Sequence, residues 1–599
     1  MSSNIHWRSG SNRWALSTVL AAACAVAACS GSDGGGPPGT DRVEGQTEFV
    51  SAPPYGRSPV SLGESTGSSG TGGPAGGTRD ASATAPQRKV EETDLYRLEG
   101  TRLYYLNGYR GLMVFDVSNV DHPTLIGRSP IFGWPVEMIV RNGVATVVVA
   151  DWYGRMDDGM PFHGSIVRGI DARDPANIRV VGEAKLGGWV RDTRVVGDVL
   201  YAVSEEYAWS YGWSDYGDLG VSTTPSSKVV VSSVSFGGGI IRSTGRFETP
   251  GWGGVFNVTS QSIMFAHDVQ PPNTDPNRYL PPTQMELDYI DISDPGGLIV
   301  PRGKVVFDGH LQAYGTDNGR WNLDFADGKI AHVMACGSQY CGSTEGSLAL
   351  VTADFTNPAA PTLASRLTIN STGWLPAARF DAGRMYLAPG DGYDWGYNTT
   401  RTTPIQVYDI SEPTSPRLAG QTEITGTVWN FTPAGNRLFC LGNEAYNPQT
   451  GTYGSKISLR YLDVTDPAHP TLIGAPATFG EGWAWTPAAG TFKAFTKNDI
   501  EGLVVLPFSG WSEQYDKYNN GLQLIEFTQS SIRTAGAAST KGWVERGIFV
   551  NGRLVSLSDL SLAVIDYSVH DAPRLIAELT LARNVIDAQP HGDTIAQLS

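Results

Sequence analysis

Along residues 90–580 short apolar runs alternate with breaks rich in Gly, Asn, Asp and Pro. DTRVVGDVLYAVSEE (192–206), AARFDAGRMYLAPG (377–390) and ERGIFVNGRLVSLSD (545–559) each join two β-type runs across a tight turn. Such pairs predict antiparallel hairpins, because β-branched and aromatic residues fit a pleated surface and Gly or Asn supplies the turn. A further run then leads into one recurring phrase. It starts at Asp116 (DVSNVDHPTLIG), Asp171 (DARDPANIRVVG), Asp291 (DISDPGGLIVPRG), Asp354 (DFTNPAAPTLAS), Asp409 (DISEPTSPRLAG), Asp463 (DVTDPAHPTLIG) and Asp566 (DYSVHDAPRLIA). Degenerate copies near Ser233 and Glu526 fill the two long gaps. The aspartate predicts an Asx-type turn, and the proline opens an outer strand whose free edge tolerates a missing N–H.

Tryptophan keeps the same beat, with Trp134, Trp189, Trp252, Trp321, Trp374, Trp429, Trp485 and Trp543 each opening a unit. The segment from Asp94 to Arg128 adds a unit without that tryptophan, which makes nine. Four short strands per repeat are the signature of propeller blades, and a stacked β-helix would use much shorter repeats. The expected fold is all-β: a single large β-propeller of four-stranded blades, nine by count and eight if one unit is incomplete. Expected boundaries are 1–28 for an export signal, 29–89 for a tether, 90–582 for the propeller and 583–599 for a C-terminal tail. Most of the tryptophans should be at least half buried, as wedges between blades.

Composition supports this and removes other classes. Charged residues make up 17% of the chain, against a typical ~25%. Its 72 Gly, 16 Trp and 24 Tyr favour a turn-rich β-protein. With 44 Lys and Arg against 60 Asp and Glu, the net charge is −16. A nucleic-acid partner is therefore not expected, since neutralising phosphates takes clustered Lys and Arg.

The first residues read as an address. Arg8 and Arg13 precede the apolar stretch WALSTVLAAACAVAA (14–28), which falls short of the ~20 residues of a membrane span. It ends in Val26-Ala27-Ala28-Cys29, which resembles the lipobox of bacterial lipoproteins. That resemblance implies cleavage before Cys29 and a diacylglycerol on its thiol; an ordinary cleaved signal is the alternative. Ser30, standing where an inner-membrane retention signal has Asp, implies outer-membrane delivery. The expected location is the bacterial cell envelope, on its periplasmic or surface side, with the membrane touched only through the lipid. Residues 30–89 are rich in Gly, Ser, Thr and Pro. They should form a disordered tether spanning roughly 45 Å. In an oxidising compartment Cys336 and Cys341 should close a small loop disulfide, while Cys440 reads as a buried lone thiol.

Two longer phrases carry a family resemblance. VEETDLYRLEGTRLYYLNGYRGLMVFDVS (90–118) and VERGIFVNGRLVSLSDLSLAVIDYS (544–568) resemble bacterial secreted proteins with a C-terminal β-propeller distantly related to WD-40 repeats. The Asp-x-Ser-x-Pro phrase is similar to the LVIVD-type repeats of bacterial surface propellers. The resemblance covers about residues 90–580; it implies the fold and an exported location, and it transfers no functional residue.

With strands lettered A to D from inside out, B–C and D–A connections share one end of the ring. The A–B and C–D turns are short and alike, whereas the B–C connections are long and individual: 151–164, 205–220, 267–279, 390–398, 443–454 and 510–520. Varied loops on a constant scaffold are where binding usually lives. The candidate ligand contacts there are Trp152, Tyr207, Trp209, Tyr211, Trp213, Asp215, Asp391, Tyr393, Asp394, Trp395 and Trp511. Trp and Tyr beside acids suit stacked sugar rings or a basic protein surface; equally, such rings can fold back over the blade tops. No catalytic motif, metal set or cofactor is expected, because the paired aspartates fit no EF-hand spacing and the histidines are scattered. The leading expectation is a monomeric binding or scaffolding module for an envelope protein or glycan. An enzyme acting on envelope polysaccharide or peptide, with a site assembled at the propeller mouth, and a structural spacer are the alternatives.

Overall fold

The computed structural model describes residues 88–156, 159–206, 227–271, 283–311, 317–325, 328–337, 348–370, 377–389, 402–444, 456–481, 484–512, 517–583, 587–591 and 594–598. Among them, nine antiparallel sheets of at least four strands form, each built from consecutive strands, and one of them gains Val90–Glu91 as an extra edge strand from ahead of the first blade. Blades 1 to 9 span 96–129, 134–187, 189–250, 252–308, 323–369, 377–425, 427–479, 484–539 and 544–580. Nine units become nine blades. Strand A is innermost, so that Ala377–Asp381 of blade 6 lies beside Thr427–Ala434 of blade 7. The start of each strand A pairs with the end of strand B, as Trp134 does with Ala150 and Trp189 with Glu205. That register puts the D–A and B–C connections at one end of the ring, the loop end, and the short turns at the other.

The blades cohere through apolar seams. Phe439, Leu441, Leu459 and Tyr461 of blade 7 pack on Val504, Leu506 and Ile525 of blade 8. Closure of the ring uses the same means, with no strand shared between its first and last sheets. Leu103, Tyr105, Met113 and Phe115 of blade 1 join Ile548, Val555, Leu557 and Val564 of blade 9 in one cluster. The Tyr105 hydroxyl donates to the Ser558 carbonyl at 2.9 Å, and Arg553 Nε reaches Asp121 at 2.7 Å.

The recurring phrase is a packing device. Each of its seven aspartates accepts the N–H two residues on, from 2.7 Å at Asp354 to 3.2 Å at Asp171. These bonds, with a neighbouring Arg in several copies, hold Asp116, Asp291, Asp409, Asp463 and Asp566 below the usual carboxylate range. Strand D then bulges by one residue, at Ile126 in blade 1, Ala364 in blade 5 and Ala419 in blade 6. The next position is filled by the neighbouring blade's turn. A Cβ on Gly303 or Gly420 would lie 2.2 or 2.3 Å from the Pro358 or Ala468 carbonyl oxygen. In blade 5 that position is Ser365, whose hydroxyl donates to the Pro413 carbonyl at 2.7 Å. Close approach therefore explains Gly127, Gly303 and Gly420, whereas Gly474 of blade 7 has open space around it and a positive φ.

Two blades depart from the pattern. In blade 7 strand D splits into Thr471–Leu472 and Ala477–Phe479. In blade 8 strand A splits into Ala484–Trp485 and Thr496–Asn498, with two 3₁₀ turns between them. Beyond blade 9, where a tail was expected, Asp587–His591 and Thr594–Leu598 pair as a hairpin.

Candidate functional site

Exposed rings gather at the loop end. Phe132 lies on the link into blade 2 and Trp134 opens its strand A, with Tyr109 on the B–C turn of blade 1 and Tyr153 on the B–C hairpin of blade 2; Trp134 is 65% exposed and Tyr153 76%. In blade 8, Trp511 (43% exposed) meets Tyr518 edge to face at 5.1 Å. Every exposed aromatic residue among the described residues falls at this end; the turn end exposes aliphatics instead, Leu125, Val180, Leu363, Leu418, Leu472 and Leu575 among them.

Trp152 corrects the expectation for its loop. Strands B and C of blade 2 run on through it, pairing Trp152 with Gly164 and Tyr153 with His163. The alternating pleat and a bulge after Val149 turn Trp152 inward, where it is 5% exposed, packs near Phe162 and lies under the Arg168 guanidinium. Trp152 therefore covers the blade, and its neighbour Tyr153 faces outward. Tyr207, Trp209, Tyr211, Trp213, Asp215, Asp391, Tyr393, Asp394 and Trp395 lie outside the described residues, as do Cys29 and Cys341. Cys336 is disulfide-bonded and Cys440 is a buried free thiol, pushed up by burial.

The unit-opening tryptophans divide. Trp134, the first residue of its strand A, is exposed and departs from the wedge expectation, and Trp189 is 37% exposed. Trp252, Trp429 and Trp543 are partly buried, and Trp485 meets Trp543 at 4.8 Å across the blade 8–9 seam. Trp321 is buried on a 3₁₀ turn, its ring 3.2 Å from the Arg379 guanidinium carbon and 4.8 Å from Phe492. Trp374 lies outside the described residues.

Sequence reasoning missed the channel. Arg88 donates to the Ser260 carbonyl at the turn end (2.8 Å), then Val90 and Glu91 add a strand to the free edge of blade 3, opposite Val196 and Val195. Asp94 next bridges Met138 of blade 2, and the chain enters strand A of blade 1. Side chains meet across the ring around this segment. Glu92 receives Arg194 at 2.9 Å and Arg320 at 3.1 Å, Asp94 receives Arg546 at 2.9 Å, and Lys493 of blade 8 reaches Glu137 of blade 2 at 2.5 Å. The segment's three acids thus take cations from several blades, Glu91 pairing with Arg97 and Arg141, Glu92 with Arg194 and Arg320, and Asp94 with Arg546. Since an uncompensated buried ion costs several kcal/mol, the segment is part of the fold. The one sequence signal was three acids in the five residues 90–94, ahead of the first blade.

A second polar cluster sits in blade 4, on the face turned to blade 3. His267 ends strand B, and Glu286 and Asp288 begin strand C. Their donor atoms lie within 4.8 Å of one another, and all three side chains are buried. His267 Nε2 is 3.0 Å from Asp288 and 3.6 Å from Glu286, whose other oxygen takes Lys304 at 2.8 Å. Burial opposes charge on the imidazole, yet the two carboxylates hold its pKa at about 9. On the opposite face His310 Nδ1 approaches the buried Asp268 at 2.5 Å.

These sheets, seams and loops define a nine-bladed β-propeller with a bridged axis. The chain belongs to the family described as Beta propeller domain, whose model matches residues 82–227 and 394–589, together more than half of the sequence. No curated protein matches the sequence. Among solved structures, one match is titled "The crystal structure of a functionally unknown protein from Desulfotomaculum acetoxidans DSM 771", at 11% identity. It covers 63% of this chain and 97% of that one with a TM-score of 0.29, too low to carry any argument.

Proposed function

We propose that this protein is an exported, lipid-anchored propeller that serves as a binding or scaffolding module of the bacterial cell envelope, engaging a protein or glycan through its loop end. The observation that carries this reading is the separation of exposed rings from exposed aliphatics. Phe132, Trp134, Tyr153, Trp511 and Tyr518 gather at the loop end, whereas the opposite end repeats one turn. Aromatic faces stack on sugar rings and anchor protein interfaces at low conformational cost. An enzymatic reading is less favoured, because the described His267 and His310 pairs are buried away from substrate.

Two experiments test the reading. Cys29→Ser should release the protein from membranes and leave the propeller folded; unchanged membrane fractionation would remove the anchor. Fluorescence titration with envelope glycan fragments and candidate envelope proteins should show saturable binding. Joint alanine replacement of Phe132, Trp134 and Tyr153 should weaken it by about tenfold or more. Full retention would take this end out of consideration.

A further inference from the structure

Among the described residues, the cluster at His267 has the arrangement of a metal site. We propose that His267, Glu286 and Asp288 bind one divalent transition-metal ion, of the zinc class, inside blade 4. The argument begins with the strands. His267 and Glu286 are direct partners across the B–C pair, and Asp288 is two residues further along strand C, so the pleat turns all three side chains to one face. No loop movement is needed to assemble them.

The distances suit a small ion. Zn–N and Zn–O bonds of about 2.0–2.1 Å at tetrahedral angles place neighbouring ligand atoms about 3.3 Å apart. From His267 Nε2 the observed separations are 3.0 Å to Asp288 and 3.6 Å to Glu286, one on either side of that value. Calcium fits poorly, since it takes six to eight oxygens at ~2.3–2.6 Å and has little use for an imidazole.

Two further observations point the same way. The Glu286 oxygen facing His267 is buried and has no hydrogen-bond donor, while its other oxygen is engaged by Lys304. A buried carboxylate oxygen left in that state calls for a cation or an ordered water. The second is the imidazole's outer nitrogen. His267 Nδ1 lies 3.4 Å from the Asp268 carbonyl, leaving Nε2 toward the two carboxylates, as in metal sites where the far ring nitrogen bonds to the backbone. Gly251 leaves room for this orientation, because a side chain there would bring its Cβ to 2.7 Å from Nδ1. Three protein ligands leave a fourth position for water. The site lies in the stretch 228–393, between the two segments that match the family model, so nothing in the family description assigns it.

The test uses the full mature chain, stripped with EDTA and dialysed, then titrated calorimetrically with Zn²⁺ and followed by Co²⁺ absorption. One ion per chain should bind, raise the melting temperature and give the visible bands of a four-coordinate Co²⁺ site. His267→Gln and Asp288→Asn should each weaken binding by about tenfold or more, with circular dichroism confirming the fold. If either variant fails to fold, Glu286→Gln, which keeps size and packing, takes its place. The proposal is overturned if the stripped wild-type chain takes up no ion, if folded variants bind as tightly as wild type, or if Ca²⁺ is preferred over Zn²⁺.

Discussion

At the turn end, Asp116, Asp409 and Asp566 head near-copies of one hairpin, and the apolar residues left in water are aliphatic, Leu125, Leu418 and Leu575 among them. At the loop end no two described connections match, and the exposed apolar side chains are mainly rings: Phe132, Trp134, Tyr153, Trp511 and Tyr518. The same strands join both ends, so strand chemistry cannot be the source of the difference. The turn end is constrained by its neighbours: each phrase must bond its own backbone, bulge once and leave room for the next blade's carbonyl. The loop end has few such obligations. Its hairpins can lengthen, as blade 2 does through Arg155 and Pro161, without disturbing a seam. Repetition therefore marks the scaffold, and departure from it marks surface free to bind.

The segment at 88–95 links the two ends through the axis, and breaking it should have the largest effect. Asp94→Ala would take the carboxylate from the buried Arg546 guanidinium and should cost about 3–5 kcal/mol in urea unfolding. Replacing both partners, Asp94→Leu with Arg546→Met, should cost clearly less than the single change. A double variant as unstable as the single would mean that the pair matters for shape, not charge.

Next comes overpacking at the turn end. Gly420→Val would drive a side chain against the Ala468 carbonyl and should destabilise by about 1–3 kcal/mol. The same change at Gly108, a B–C turn glycine of blade 1 with open space around it and no positive φ, isolates the contact. Equal losses at the two positions would refute the close-approach account of the phrase.

Acid should weaken the turn end selectively. The phrase aspartates are held below their ordinary pKa, so the native state resists protonation more than the unfolded chain does. Their contribution is full above about pH 4 and is lost as pH falls through the lowered native values. Asp409→Asn with Asp463→Asn should flatten the acid limb of a stability–pH curve. An unchanged limb would move acid sensitivity elsewhere.

The smallest effect on stability belongs to the loop end. Trp134→Ala should shift unfolding by no more than about 0.5 kcal/mol, because the ring rests mostly in water. A loss of several kcal/mol would restore the tryptophan to the role of a wedge.

Strand periodicity, the Asp phrase and the tryptophan beat were enough to count nine blades, because each is local: a turn, a pleat and a cap lie within one stretch of chain. Cys440 in its apolar run was legible for the same reason. Trp152 was not, since loop or hairpin depends on a register that slips at one bulge, and a shift of one residue reverses the face. The metal-type cluster was hidden in the same way. His267 and Glu286 stand 19 positions apart in sequence and become neighbours only when strands B and C pair.

What the sequence determined by itself is the repeating unit: four short strands, an Asx turn, a glycine where another backbone approaches, and an acidic composition. What only the tertiary structure decided is everything that depends on closing the ring. Val90 meets Val196, Asp94 meets Arg546 and Lys493 meets Glu137 across hundreds of residues or opposite sides of the axis. No local pattern encodes those partners, because each buried ion needs a counter-ion that only the closed ring of nine blades brings beside it.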